Sequence, residues 1–263
     1  MSALPDCQTL RLDARDGVLW ITLDRPDSRN AMSLQMVGEL RGVLAAVRED
    51  RHVRALVLRG AGGHFCSGGD IRDMAQARGQ GVQAYEQLNR AFGALLEEAQ
   101  HQPQVVIAVL QGAVLGGGFG LACVSDIALA AHDARFGLPE TSLGLLPAQI
   151  APFVVRRIGL TQARRLALTA ARFDGDEAMR LGLVHFVERD AQGLEERLAE
   201  VLAQVLRCAP GANAVTKALL LDEQPLGSML DQAARWFAEA VTGDEGVEGT
   251  LAFVQKREPR WAG

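Results

Sequence analysis

The chain opens on an alternation of apolar and polar residues, Thr9-Leu10-Arg11-Leu12-Asp13 and then Val18-Leu19-Trp20-Ile21-Thr22-Leu23. A period of two belongs to strands with one buried face, and the Asp16-Gly17 pair between the two runs suits a tight turn, so the pattern predicts a hairpin. Asp24 to Asn30 is polar and contains Pro26, which reads as a loop. The period then changes. Leu34, Val37, Leu40, Leu44 and Val47 recur at helical spacing, with Ser33 placed to cap the first turn. Further along, Arg54–Leu58 reads as a short buried strand, Val82–Ala99 as a helix, Val105–Leu110 as a second buried strand and Asp126–Ala130 as a third.

Strands that alternate with helices point to an α/β fold with parallel crossovers rather than a sandwich or a bundle. Beyond about residue 190 the spacing is helical throughout, over Leu194–Leu206, Gly211–Leu221, Leu226–Val241 and Asp244–Lys256. The expected division is a core over 1–190 and a helical C-terminal region over 191–263.

Composition narrows the function classes. A chain of 263 residues with 48% hydrophobic content can bury a large core. Net charge is −5 and no basic stripe runs along the chain, which argues against nucleic-acid binding. No apolar run approaches the ~18 residues of a membrane span, and the first residues lack the basic start and apolar stretch of a signal peptide. Cys7, Cys66, Cys123 and Cys208 match no metal or redox spacing, and the five histidines form no i, i+4 pair. The expectation is a cytoplasmic protein with reduced thiols and no metal.

Two glycine-rich segments carry candidate chemistry. Gly116-Gly117-Gly118-Phe119-Gly120 is entered from the Val105–Leu110 strand and leaves into an apolar helical run; Phe65-Cys66-Ser67-Gly68-Gly69-Asp70 lies upstream. Glycines at a strand-to-helix turn let backbone approach a ligand, and N–H groups at a helix start point at negative charge. The better-known glycine motifs do not fit. Counting from Gly116, a dinucleotide fingerprint needs glycine where Leu121 stands, no Gly-Lys-Ser/Thr occurs, and Ser67 lacks the leading glycine of a nucleophile elbow. Two such turns suggest a pocket for an oxyanion, although glycines also serve tight helix–sheet packing.

Glu140 is the next singular residue, in Phe136-Gly137-Leu138-Pro139-Glu140, with Pro139 at the expected first position of a helix. An acid in a first helical turn is commonplace. Here its flanks are apolar and glycine-rich, surroundings that desolvate a carboxylate and raise its pKa toward the range useful for proton transfer.

These residues, with Asp24-Arg25-Pro26, Asn30-Ala31-Met32, Cys123-Val124-Ser125-Asp126, Leu181-Gly182-Leu183-Val184 and Phe253-Val254-Gln255-Lys256-Arg257, occur in an order that resembles the enoyl-CoA hydratase/isomerase (crotonase) superfamily across nearly the whole chain. The resemblance implies a spiral of ββα units with a helical trimerisation region, a trimer or dimer of trimers, and acyl-CoA substrates with no cofactor beyond the CoA they carry. It places the thioester oxygen on the N–H groups of Gly69 and Gly117, where each donor is typically worth about 10²–10³ in rate. It further implies substrate contacts at Ala31, Ser67, Gly68, Asp70, Gly116 and Gly120, and basic groups for the CoA end at Arg25, Arg29, Lys256 and Arg257.

Hydratases of that family carry two glutamates, one two residues after the glycine triplet and one in the Pro-Glu segment. Glu140 matches the second; Gly120 stands at the first. A glycine can neither orient nor deprotonate water, so three readings stand: an isomerase with Glu140 as sole base, a hydratase in which another group positions the water, and a non-catalytic acyl-CoA binder. Gly118 to Asp126, Leu145 to Phe153 and Ala163 to Thr169 with Arg172-Phe173 are similar to bacterial hydratases of branched glutaconyl-CoAs, such as isohexenylglutaconyl-CoA in acyclic terpene breakdown or 3-methylglutaconyl-CoA in leucine breakdown. That favours the hydratase reading and implies that the gap at Gly120 leaves space for a branched acyl group.

Overall fold

The computed structural model describes residues 3–70, 72–73, 82–222, 235–237, 239–241 and 243–262. The expected hairpin forms: β1 (Leu10–Arg15) and β2 (Val18–Leu23) pair antiparallel, and both turn residues have positive φ, Asp16 at 51° and Gly17 at 75°. Positive φ at both central residues is what a right-twisted two-residue hairpin requires. Ser33 accepts a hydrogen bond from the Met36 N–H and starts α1 (Leu34–Val47).

Next come β3 (Ala55–Gly60), α2 (Val82–Gln100) and β4 (Val105–Leu110), close to the expected bounds. A sheet in the order β1-β2-β3-β4-β6-β9 collects them with β6 (Ile127–Ala131) and β9 (Phe186–Glu188), and every pairing after the hairpin is parallel. Strands β3 and β4 are apolar without alternation because both faces are covered. Leu56, Leu58, Val106, Ala108 and Leu110 join the core beneath α1 and α2. Ala55, Val57, Ile107 and Val109 pack on the other face against Leu194, Leu198, Val201 and Leu202 of α6 (Ala191–Leu206).

A second sheet, in the order β5-β7-β8, was not expected. Its strands are β5 (Ala113–Leu115), β7 (Arg135–Gly137) and β8 (Arg172–Phe173), each too short to show a period. β5 therefore corrects one expectation: the glycine run does not follow the Val105–Leu110 strand directly but leaves from the second sheet into α3 (Gly117–Val124). Phe119 of α3 meets Phe136 of β7 and Phe173 of β8 with ring centroids 6.5 and 6.1 Å apart, and all three pack within 6.5 Å of one another. This aromatic knot fixes the glycine helix on the small sheet.

Further helices among the described residues are α4 (Ala151–Thr169), α5 (Gly175–Arg180), α7 (Pro210–Leu220) and α8 (Asp244–Gln255). The expected helix over Leu226–Val241 lies largely outside the described residues. Lys217 of α7 ties the C-terminal helices to the main sheet through Asp126, at 2.6 Å. No helix among the described residues is long and apolar enough to cross a membrane.

Candidate active site

The two glycine turns are brought side by side by backbone. Residues 65–70 run as an extended strip: Cys66 N–H donates to the Ala113 carbonyl at 2.9 Å and the Leu115 N–H donates back to the Cys66 carbonyl at 2.9 Å. On its other edge the strip meets residues 29–32, with Ser67 N–H on the Arg29 carbonyl, Met32 N–H on the Gly68 carbonyl and Asp70 N–H on the Met32 carbonyl. This parallel bridge to Met32 uses the groups on either side of Gly69, so the Gly69 N–H itself points away from it. Gly117 opens α3, where a helix leaves its first N–H groups without intrahelical partners. Among the described residues, neither the Gly69 nor the Gly117 N–H has a hydrogen-bond acceptor.

Gly68 and Gly116 must be glycine. Their φ values are 107° and 47°, and Gly116 combines its φ with a ψ of −110°, a region closed to side chains. Gly116 has a second constraint: a Cβ there would lie 2.7 Å from Glu140 Oε1 and 3.5 Å from the Gly68 Cα. Glu140 is thus pressed against the glycine that separates the two turns.

Glu140 reaches this place through the second sheet. Gly116 N–H donates to the Gly137 carbonyl, and three residues later the chain turns at Glu140. The expectation of Pro139 at the first position of a helix needs correction. Glu140–Leu143 is a single four-residue 3-10 turn preceded by Pro139, stopped by Gly144 at φ 72°. One turn contributes little dipole, so a helix terminus does not explain this acid. The Thr141 hydroxyl anchors the turn by donating to the Ala167 carbonyl of α4 at 2.7 Å.

The carboxylate is half-buried, and its Oε2 is enclosed without a hydrogen-bond partner among the described residues. Burial pushes its pKa above the ordinary glutamate value, opposed first by its own backbone N–H and then by the positive charge of Arg172. An enclosed, unpaired carboxylate oxygen costs stability and is the kind of exception that a catalytic role accounts for.

The expectation that Gly120 leaves space is overturned. Gly120 is buried in α3, and a Cβ added to it would meet Leu96 Cδ1 at 3.1 Å and Ile150 Cγ1 at 3.4 Å. Side chains of α2 and of the residue before α4 already fill the position. Even a methyl there would require Leu96 to give way by a few tenths of an ångström.

The other expected contact residues divide into two groups. Ala31, Ser67, Gly68 and Asp70 belong to the paired strips beside Gly69, and the Ser67 hydroxyl donates to the Ser28 carbonyl. Arg25 is committed internally: its guanidinium pairs with Asp70 at 2.6 Å and also donates to the Ala31 carbonyl. Burial works against the Asp70 charge, but the Arg72 N–H and the Arg25 guanidinium outweigh it and hold this carboxyl below its usual range. Arg29 is exposed, with a backbone φ of 51°. Asn30, quoted only as part of a motif, proves to be the buried brace of this loop. It sits at φ 56°, its amide donates to the Ala61 and His64 carbonyls, and it accepts from the Arg25 N–H.

Lys256 and Arg257 do not join the cluster within one chain. Helix α8 ends at Gln255, before both of them, which corrects their expected place inside the helix. Arg257 forms a two-armed pair with Glu248 at 2.7 and 3.0 Å. The tail beyond them binds Arg54 through the Trp261 carbonyl, at the start of β3, whereas the glycine turns lie past its far end. Among the described residues, no group of His, Cys, Asp or Glu could hold a metal.

Comparison with known proteins agrees with this geometry. A family described as enoyl-CoA hydratase/isomerase matches residues 13–263. Among solved structures, Pseudomonas aeruginosa AtuE is 74% identical with a TM-score of 0.97, over 97% of this chain and 100% of that one. An enoyl-CoA hydratase/isomerase from Marinobacter aquaeolei is 55% identical with a TM-score of 0.96, over 98% and 100%. Enoyl-CoA hydratase ACTT6 of Alternaria alternata is 35% identical over 246 residues, 90% of this chain and 78% of that protein. The chain belongs to the enoyl-CoA hydratase/isomerase (crotonase) family and is an enoyl-CoA hydratase, a hydro-lyase.

Proposed function

We propose that this enzyme adds water to a branched glutaconyl-CoA, isohexenylglutaconyl-CoA or 3-methylglutaconyl-CoA, giving a tertiary 3-hydroxyacyl-CoA with Glu140 as its single proton-transfer group. The observation that carries the reading is the enclosed, unpaired Glu140 Oε2, on a carboxylate that lies against Gly116 between the turns bearing the free N–H groups of Gly69 and Gly117. The thioester oxygen accepts from those two N–H groups, which polarises the double bond and stabilises the enolate formed as water attacks C3. Glu140 takes one proton from that water and returns it to C2; the other stays on the new hydroxyl. Atoms balance with one carboxylate, and a raised pKa suits a group that must both accept and give a proton near neutrality.

The branched acid is favoured by the segments around Gly118, Leu145 and Ala163, together with the 74% identity to AtuE over essentially the full length of both chains. Exposed Arg29 is assigned to the CoA end, with Lys256 serving a neighbouring subunit of a trimer or dimer of trimers. The division into a core over 1–190 and an assembly region over 191–263 belongs to the same proposal, as does a cytoplasmic location.

A site with one acid also fits an isomerase that moves a proton between C2 and C4, so the substrate test includes a 3-enoyl-CoA. The reading predicts that kcat/KM for hydration is highest on the branched glutaconyl-CoAs, by about tenfold or more over crotonyl-CoA, the range available to a pocket that fits extra groups. A preference for crotonyl-CoA, or double-bond migration in place of hydration, contradicts it.

A further inference from the structure

Gly120 carries no side chain and lies against Leu96 and Ile150, so a group that holds the attacking water opposite Glu140 must come from elsewhere. The seam between α2 and α3 offers a polar side chain. Phe92 of α2 faces Gly117, and Leu96, one turn on, faces Gly120. Between them on the same turn is Gly93, and a Cβ on it would overlap Gln149 Oε1 at 1.9 Å and crowd Cδ at 2.7 Å.

A glycine inside a helix costs roughly 1 kcal/mol relative to alanine. A Cβ on Gly38 or Gly42 in α1 would meet open space; Gly93 alone of these three is a seat for another residue. The chain gives up helix stability there and gains room for a carboxamide at the glycine-run seam. The loop carrying Gln149 is itself fixed. It continues from the Glu140 turn, whose carbonyl accepts from Leu145 N–H at 2.9 Å, and it closes on Pro147, whose carbonyl accepts from Ile150 and Ala151 at 3.1 and 2.8 Å. Ile150, the next residue, is one of the two that fill the Gly120 position. Gln149 is half-buried and, among the described residues, its amide makes no hydrogen bond, which leaves an acceptor oxygen and two donors for water or substrate.

We infer that Gln149 is the positioning residue for the attacking water, replacing the second carboxylate of two-glutamate hydratases. The inference rests on Glu140 acting as the only acid. In that scheme one water proton goes to Glu140 and then to C2, while the other never leaves oxygen. The second partner of the water therefore needs only to accept a hydrogen bond, which an amide oxygen does without ionising. Gly93 is the packing device that lets it stand there.

The test compares Gln149→Leu, Gln149→Glu and Gly93→Ala with wild type on 3-methylglutaconyl-CoA, after circular dichroism shows that each is folded. Gln149→Leu should lower kcat about 10²-fold with KM changed by no more than about twofold, as expected for a misplaced nucleophile. Gln149→Glu should recover most of that loss and add a second acid limb to the kcat–pH profile. Gly93→Ala should reproduce the fall in kcat while staying folded. Near-wild-type kcat in Gln149→Leu overturns the inference, and so does a loss confined to KM, which would make Gln149 a substrate-binding group. If wild type does not hydrate the branched substrate, the substrate reading fails on its own and the same comparison is made on crotonyl-CoA.

Discussion

Gly116 and Glu140 touch: a Cβ on the glycine would stand 2.7 Å from Glu140 Oε1. Gly116→Ala therefore acts on the chemistry by displacing the carboxylate, as well as on the backbone, which holds φ at 47°. A shift of about 1 Å in a reacting group costs on the order of 10²-fold. The expected outcome is a fall in kcat of that size, with KM for the CoA ester little changed. Steady-state kinetics on the purified variant check it.

Restoring the second acid should fail. Gly120→Glu would press its Cβ against Leu96 Cδ1 and Ile150 Cγ1, at 3.1 and 3.4 Å. Destabilisation of about 1–3 kcal/mol from overpacking is expected, with no gain in kcat. Denaturant unfolding and kcat measured together decide the matter, and a stable, faster variant would contradict the packing argument.

The pH dependence of activity should carry the signature of Glu140. Its carboxyl titrates above the ordinary glutamate value because it is buried, and the water-attacking form is the carboxylate. Activity should then fall as pH drops through that raised pKa, placing the acid limb of kcat above about 4.5. A limb at or below the ordinary value would leave the burial without consequence.

The Arg25–Asp70 pair predicts a pH dependence of stability with the opposite origin. Asp70 is held below the usual carboxylate range, so the folded protein binds its proton less readily than the unfolded chain does. Its contribution is complete above the unfolded pKa near 4 and is lost as pH falls through the lower folded value. Asp70→Asn should cost about 2 kcal/mol at neutral pH, in the range for a hydrogen bond to a charged group. The gap between variant and wild type in chemical denaturation should close toward pH 3.

Much of the fold was legible because its signals are local. The hairpin announced itself through Asp16-Gly17, and Ser33 capped α1 where its side chain and the apolar spacing said it would. The second sheet was illegible since β5, β7 and β8 are two or three residues long and make sense only when paired. The site divides in the same way. Glycines needing positive φ and an acid among apolar neighbours show in the chain, whereas the closing of Gly120 by Leu96 and Ile150 is tertiary and had no sequence signal. Gly93 did leave one, as a glycine inside a strong helical pattern. Arg25, which the resemblance assigns to the CoA end, pairs instead with Asp70, a partner 45 residues away that nothing in its neighbourhood of the sequence reveals.

The central claim is that Glu140 alone moves the proton in a hydration. The direct measurement is turnover of a branched glutaconyl-CoA in ¹⁸O-water by wild type and by Glu140→Gln, read by mass spectrometry. The account predicts ¹⁸O in the hydroxyacyl product of wild type and a loss of at least about 10³-fold in the variant, within the span of general acid–base catalysis. Product that has merely shifted its double bond without label, or a Glu140→Gln enzyme that keeps near-wild-type kcat, would contradict it.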